Sequence, residues 1–232
     1  MIKKSIVIDF DHTIGYFNQI IFLINIVEKT YNITLNNKQI YSLLENYPLV
    51  FRPKLYEIFL LILLNKHYDK ITLFILYTCN KRPQFVESIV DYLTSKLKSY
   101  LPSNITDVIL FQYIVYEPTK KKNIEYLSSY LCNDIKENNH AFCFIDNKLY
   151  KYTNHHIIIK YIKSASYVYN YDIKDIIRLF PYSIFDKITS KKIQKFFKYK
   201  TYQVKPSLSY SIYEINSSFI LQSIRDFVSN EP

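Results

Sequence analysis

The sequence predicts an α/β fold built on a doubly wound parallel sheet, and three observations carry that expectation. Short β-branched or aromatic runs (Ser5 to Phe10, Ile71 to Tyr77, Ala141 to Ile145) alternate with longer stretches of helical apolar spacing. The runs are largely apolar instead of alternating, as strands buried on both faces are, with Ser5, Thr72 and Asp9 the exceptions. Polar residues stand directly after each one: Asp9/Asp11/Thr13, Thr78/Asn80 and Asp146/Asn147. Right-handed crossovers between parallel strands bring all three clusters to one edge of the sheet, where ligands of such folds bind.

In chain order, Ser5 to Phe10 is the first strand, and Gly15 follows where a chain turning over a strand end can use a residue without Cβ. Tyr16 to Tyr31 places Ile20, Leu23, Ile24 and Val27 on one helical face, and Asn37 to Glu45 makes a second short helix before Pro48. Pro53 opens a helix to about Asn65, with Leu55, Ile58, Phe59, Ile62 and Leu63 inward. After the Ile71 strand, Pro83 opens a helix to about Leu97, Asp107 to Ile114 forms a strand, and Asn123 to Asn138 a helix. Ala141 to Ile145 and Ile157 to Tyr161 are strands, and Ile173 to Phe180 is a short helix closed by Pro181. Beyond it, seven lysines face one acid between Ser183 and Lys205, so residues 183–232 read as a basic appendage with an amphipathic helix near Lys187 to Lys198. The apolar residues Ile212, Ile215, Phe219, Ile220 and Ile224 offer a docking face farther on.

With 232 residues, 49% of them hydrophobic, the chain can bury a sizeable core and is not a disordered one. Its single glycine excludes glycine-rich phosphate loops and dinucleotide-binding fingerprints. The net charge of +10 and the 24 tyrosines match what an AT-rich genome writes into any protein, which weakens both as functional signals. Cys79, Cys132 and Cys143 have neither disulfide nor zinc spacing, and Cys143 reads as an inert core thiol. His155 and His156 lack a third ligand, and His12 reads as a steric placeholder beside the first turn. Asp9 and Asp11 interrupt what would be a signal peptide's apolar core, and the apolar run Ile58 to Leu64 is too short for a membrane span. The expectation is a soluble intracellular protein, in cytoplasm or nucleus, without membrane contact.

The strand-end residues supply the parts of phosphate-ester hydrolysis through a covalent intermediate. Asp9 can present a nucleophilic carboxylate, and Asp11, two residues on, can protonate the leaving oxygen. A magnesium ion would take the Asp9 carboxylate, the main-chain carbonyl of Asp11 and a residue of the Asp146-Asn147 pair. Thr78 can hydrogen-bond phosphoryl oxygens, and one of Lys120 to Lys122 can offset developing charge. The expected substrate contacts are Thr13, Asn80 and Arg52.

Asp-x-Asp-x-Thr after a first strand, Thr after a second, Lys at a later helix start and Asp after another strand resemble, in that order, the four motifs of the haloacid dehalogenase superfamily of phosphatases. Arg52-Pro53-Lys54-Leu55 through Leu60, the Ile145-Asp146-Asn147 end and the segment Tyr171 to Pro181 resemble a narrower group, the RNA polymerase II C-terminal-domain phosphatases and their nuclear-interactor-factor-like relatives. The likeness spans about residues 3 to 182. It departs at His12, where the narrow group has Glu, and at Cys79-Asn80, which replace small residues. The resemblance implies a Rossmann-like phosphatase domain over 1–182, with 16–48 as a small cap insertion, Lys122 as the catalytic lysine and Asn147 as the magnesium ligand of its pair. It also implies a phosphoserine or phosphothreonine protein substrate; a nucleotide or nucleic-acid-end phosphatase and an inactive binding scaffold are the alternatives. The basic tail would meet an acidic partner or nucleic acid.

Overall fold

The computed structural model describes residues 2–105, 108–117, 119, 122, 126–127, 130–131, 140–149, 158–199 and 207–229. Five strands form one parallel sheet in the order β3-β2-β1-β4-β5: β1 Lys3–Ile8, β2 Leu73–Thr78, β3 Tyr113–Tyr116, β4 His140–Asp146 and β5 Ile158–Lys163. The helices are α1 Asn18–Tyr31, α2 Asn37–Asn46, α3 Leu55–His67, α4 Pro83–Lys98, α5 Ile173–Leu179, α6 Ser190–Tyr199 and α7 Tyr210–Ser229. This is the α/β parallel architecture expected, of Rossmann-like order. No helix among the described residues is long and apolar enough to cross a membrane.

The three central strands owe their position to their composition. Every residue of β2 and β4 is buried, and so are the last four of β1. Alternate residues then serve opposite faces. Val7, Ile75, Tyr77, Phe142 and Phe144 pack with Leu127 and Leu131 on one face. On the other, Phe74 meets Phe59 of α3 with ring centroids 5.6 Å apart. Helical segments therefore cover both faces, as double winding requires.

Several boundaries differ from expectation for identifiable reasons. The helix expected from Pro53 begins at Leu55, because Lys54 at its N-cap has a left-handed backbone (φ 57°) and Pro53 lies in the turn before it. Strand β3 starts at Tyr113, six residues after the expected Asp107, which lies outside the described residues together with most of the helix expected over 123–138. Ahead of β3, Gln112 brackets Phe74: its amide N–H donates to the Phe74 carbonyl (2.9 Å), and its side-chain oxygen accepts from the Phe74 N–H (2.6 Å).

Contacts divide the chain into two units. The sheet unit comprises Met1–Ile14, Arg52–Tyr167 and Ser209–Pro232; the second comprises Gly15–Phe51 and Val168–Leu208. The expected appendage 183–232 is thus split, with α7 belonging to the sheet unit. Ile220 and Ile224 are buried, whereas Ile212, Ile215 and Phe219, grouped with them from sequence, are exposed. Lys4 donates to Val228 O (3.0 Å) and Lys160 to Ser223 O (3.0 Å), which ties α7 to β1 and β5.

The second unit is helical. Its two segments are joined by Gln19, whose side chain bonds both the N–H and the carbonyl of Tyr171 (2.8 and 3.0 Å), and by Tyr47, whose hydroxyl donates to Ile176 O (2.6 Å). Phe22 of α1 meets Phe196 and Phe197 of α6 edge-on. The segment Tyr171 to Pro181, expected to close the sheet domain, therefore belongs with residues 15–51. Asn36 and Gln39 form a reciprocal capping box at α2, and Asp172 caps α5. On α6, Lys191, Gln194, Lys195 and Lys198 line an open recess of about 430 Å³.

Gly15 is where this unit tolerates no side chain. It bridges to Phe51, and a Cβ there would lie 2.5 Å from the Val50 carbonyl oxygen and 2.5 Å from the Phe17 ring. Backbone cannot yield cheaply in a packed interior, so Gly15→Ala is expected to cost about 1–3 kcal/mol and to lower the melting temperature by several degrees in a thermal melt.

Candidate active site

The order of the sheet reverses between β1 and β4, and the residues following those two strands meet there. The Asp9 N–H donates to Ile145 O (2.9 Å), which extends the ladder one residue past β1 and brings the Asp9 carboxylate beside that of Asp146. Phe10 is fully buried and packs edge-on against Phe85 of α4, so the turn that follows is anchored from below. Ile14 N–H closes it onto Phe10 O (3.0 Å). His12 takes the turn in a left-handed conformation (φ 63°), uncommon for a side-chain-bearing residue. It is held by its carbonyl, which accepts from Tyr167 N (2.8 Å), and by its ring Nδ1, 3.0 Å from Tyr167 O.

Lys122 lies between the two carboxylates. Its Nζ donates to Asp9 Oδ1 (2.5 Å) and to Asp146 Oδ2 (2.6 Å), with all three side chains buried. Burial depresses the ammonium's pKa, but the charges of Asp9 and Asp146 and their hydrogen bonds outweigh it, and the net direction is upward. Burial and the neighbouring Asp9 push Asp146 above the usual carboxylate range, against the pull of Lys122. Lys120 and Lys121 lie outside the described residues.

The remaining oxygens are also occupied. Asp9 Oδ2 accepts from Thr13 Oγ1 (3.1 Å), and Thr13 Oγ1 accepts from the Asn147 N–H (3.2 Å). The hydrogen-bond network assigns the Asn147 amide with its nitrogen toward Asp9 Oδ2 (3.2 Å) and Asp146 Oδ1 (3.3 Å) and its oxygen toward Ser166 Oγ (3.2 Å). Lys148 N–H completes Asp146 Oδ1 at 2.8 Å.

Asp11 is set apart from this cluster. The Asn80 amide donates to both of its carboxylate oxygens (3.1 Å each), while Asn80 Oδ1 accepts from Arg82 N–H (2.9 Å). Burial, followed by the charge of Asp9, raises the Asp11 pKa from 3.8 to about 6, against the lowering effects of Asn80, Lys122 and Lys148. Two carboxylates two residues apart thus differ in environment, one beside an ammonium and one poised to hold a proton near neutrality. Asn80, expected at the substrate, serves to orient Asp11. Thr78 is fully buried, and its hydroxyl accepts from Asn80 N–H (3.0 Å), which shapes the loop that delivers Asn80.

Arg52 is placed otherwise than a substrate contact. It is 3% exposed and donates to the carbonyls of Thr13 (2.5 Å), His12 (3.0 Å) and Ala165 (2.5 Å) and to Asn216 Oδ1 of α7 (2.9 Å). Its guanidinium lies over the Tyr167 ring, and burial lowers its pKa to about 10. Arg52 is therefore a clamp on the backbone of the 12–13 turn. Sequence reasoning also missed Glu117 and Tyr77. The Tyr77 hydroxyl donates to Glu117 Oε2, whose other oxygen accepts from Thr119 Oγ1 (2.9 Å), and the Lys122 ammonium lies 5.5 Å from the Tyr77 ring centroid. A strand-end acid following Tyr116 was the available signal.

Asp9, Asp146 and the Asp11 carbonyl offer oxygens, the donors that magnesium prefers, and Asn147 offers one only with its amide turned. Asp9 and Asp146 with Lys122 leave one negative charge uncompensated, and Asp11 adds a second when ionised, so the charge balance fits a divalent cation. Among the described residues no group of three or more His, Cys, Asp or Glu forms a ready metal cage. Magnesium seldom uses one, relying on one or two carboxylates with water and phosphate oxygens. Compared with family models, curated proteins and solved structures, the chain matches none.

Two outcomes follow from this network. A carboxyl whose folded pKa is raised favours the native state when protonated; that contribution is complete below 3.8 and is lost as pH rises through about 6. Asp11→Asn in chelator should therefore raise stability relative to wild type more at pH 7.5 than at pH 4, by up to about 3 kcal/mol, in thermal melts at the two pH values. Tyr77→Phe and Glu117→Gln should each cost about 1–3 kcal/mol in urea unfolding, and the double variant less than their sum.

Proposed function

We propose that the chain is a magnesium-dependent phosphomonoesterase of the haloacid dehalogenase type, acting through an aspartyl-phosphate at Asp9. The observation that carries this reading is the pairing of Asp9, salt-bridged to Lys122, with Asp11, whose pKa lies at about 6. The first is a carboxylate held beside an ammonium and the second an acid placed to give up a proton.

In the first step a carboxylate oxygen of Asp9 attacks phosphorus, the bond to the ester oxygen breaks, and Asp11 delivers its proton to that oxygen. In the second, ionised Asp11 takes a proton from water as the water oxygen attacks phosphorus, and the bond to Asp9 breaks to release phosphate. Lys122 orients Asp9 and offsets charge on the phosphoryl group. The Arg52 clamp fixes the carbonyls of the turn, and Asn80 keeps Asp11 in a single orientation. Asp9, the Asp11 carbonyl, Asp146 and Asn147 would hold magnesium, with the Asn147 amide turned so that its oxygen faces the cation. When bound, magnesium would neutralise the repulsion between carboxylate and phosphate. A phosphorylated peptide is the substrate class the resemblance favours, and the lysines of α6 would be a second place for an acidic partner to meet the protein.

The test is hydrolysis of p-nitrophenyl phosphate with and without magnesium. Wild type should turn over only with the metal, and Asp9→Asn and Asp11→Asn should lose it. Lys122→Ala should fall by about 10²-fold or more, as removal of one charge-stabilising donor does. Absence of metal-dependent turnover in a folded wild-type sample would reject the reading, and residual activity of Asp9→Asn above a few per cent would reject the covalent route.

A further inference from the structure

The loops at the carboxyl end of the sheet sort their charges by depth. The acids there lie inward: Asp9, Asp146 and Glu117 are buried, and Asp11 is half-buried. In the segments 79–82, 147–149 and 163–167 the exposed charges are all cationic: Lys81 and Arg82 after β2, Lys148 after β4, and Lys163 at the end of β5, in register with Asp146. No ion pair joins any of the four to a carboxylate among the described residues. At the other end of the sheet the signs are mixed, with Asp69 beside Lys70 before β2.

We propose that this rim is a subsite for a second anionic group, and that the substrate is a phosphorylated residue within an acidic polypeptide. The proposal rests on the phosphatase reading and adds to it a requirement for charge beside the phosphate. A phosphate dianion approaching the site meets buried carboxylates of its own sign, and four solvated cations around them reverse the field at the entrance. The Lys148 backbone is pinned by its N–H to Asp146 and by its carbonyl, which accepts from the Tyr161 hydroxyl, so this cation is delivered at a fixed place.

A nucleic-acid end would supply negative charge too, but it also brings bases that need flat partners. Binding to single strands draws on aromatic side chains that stack those bases. In the described residues of the loops carrying Lys81, Arg82, Lys148 and Ser164 to Tyr167, no aromatic side chain is exposed: the segments read Cys79-Asn80-Lys81-Arg82, Asn147-Lys148-Leu149 and Ser164-Ala165-Ser166-Tyr167, and Tyr167 is buried. Leu149, 66% exposed beside Lys148, suits an apolar peptide residue instead.

The experiment compares three phosphorylated probes of equal length: a phosphoserine peptide with glutamates on both sides, the same peptide with glutamines, and a single-stranded oligonucleotide with a terminal phosphate. Binding by fluorescence anisotropy is read with Asp9→Asn protein, and kcat/KM with wild type. The acidic peptide should exceed the neutral one by about tenfold at low salt, and the advantage should shrink toward unity near 0.5 M salt as screening sets in. The triple variant Lys81→Ala, Arg82→Ala, Lys163→Ala should lose that advantage while its kcat on p-nitrophenyl phosphate stays within about twofold. Equal binding and turnover of the two peptides by wild type would overturn the proposal, and preference for the oligonucleotide would overturn the choice of polypeptide. If p-nitrophenyl phosphate is not hydrolysed at all, the phosphatase reading has failed; the anisotropy comparison still tests the rim separately.

Discussion

One ammonium between two carboxylates holds the reactive end of the sheet together. Asp9 follows β1 and Asp146 ends β4, the neighbouring strands at which the order of the sheet reverses, and Lys122 bridges them with all three side chains nearly dry. Two like charges this close in a buried setting repel strongly, and without a cation one would take up a proton. The bridge thus supplies the one cation that the two carboxylates share. It also explains why so many uncharged donors crowd the same oxygens, since each of Thr13, Asn147 and Lys148 N–H satisfies a lone pair that water no longer reaches. A buried ion pair of this kind adds little to net stability, and its worth lies in fixing one arrangement among several.

Around that bridge the structure uses backbone carbonyls as its second material. Arg52 gathers three carbonyls and one amide oxygen from the turn at 12–13, the loop after β5 and α7. A planar guanidinium suits this role because its five donors point in fixed directions and spread over acceptors that a compact ammonium could not all reach. Tyr77 and Glu117 act similarly on the other side, linking β2 to the residue that follows β3.

What could be read from sequence was whatever depends on neighbours in the chain. The apolar runs of β1, β2 and β4 declared strands buried on both faces, and the residues Asp9, Asp11, Lys122 and Asp146 did come together. Helix α2 was legible as a short stretch ending before Pro48, and α4 through Pro83 at its first turn. The misplaced start of α3 came from Pro53, a good first residue of a helix, which gave no sign that Lys54 would turn left-handed. The roles of Arg52, Asn80 and Glu117 were hidden for a different reason. Each is set by a partner far along the chain, such as Asn216 for Arg52, and no local pattern encodes a contact over 164 positions. The apolar residues of α7 were visible, but which of them face inward depends on where β4 and β5 lie.

The separation between Arg52 and Asn216 also has a meaning for the order of assembly. The sheet unit is written in three pieces, and its last piece, residues 209–232, supplies both the cover over Lys4 and Lys160 and the amide that completes the Arg52 clamp. Long-range closures of this kind are slow, because chain entropy is surrendered before the contact rewards it. During synthesis the strands can pair once β5 has been made, yet Arg52 gains its fourth acceptor only when α7 docks. A chain ending before residue 216 would keep the Arg52 bonds to His12, Thr13 and Ala165 and lose the one tie that joins them to the last helix.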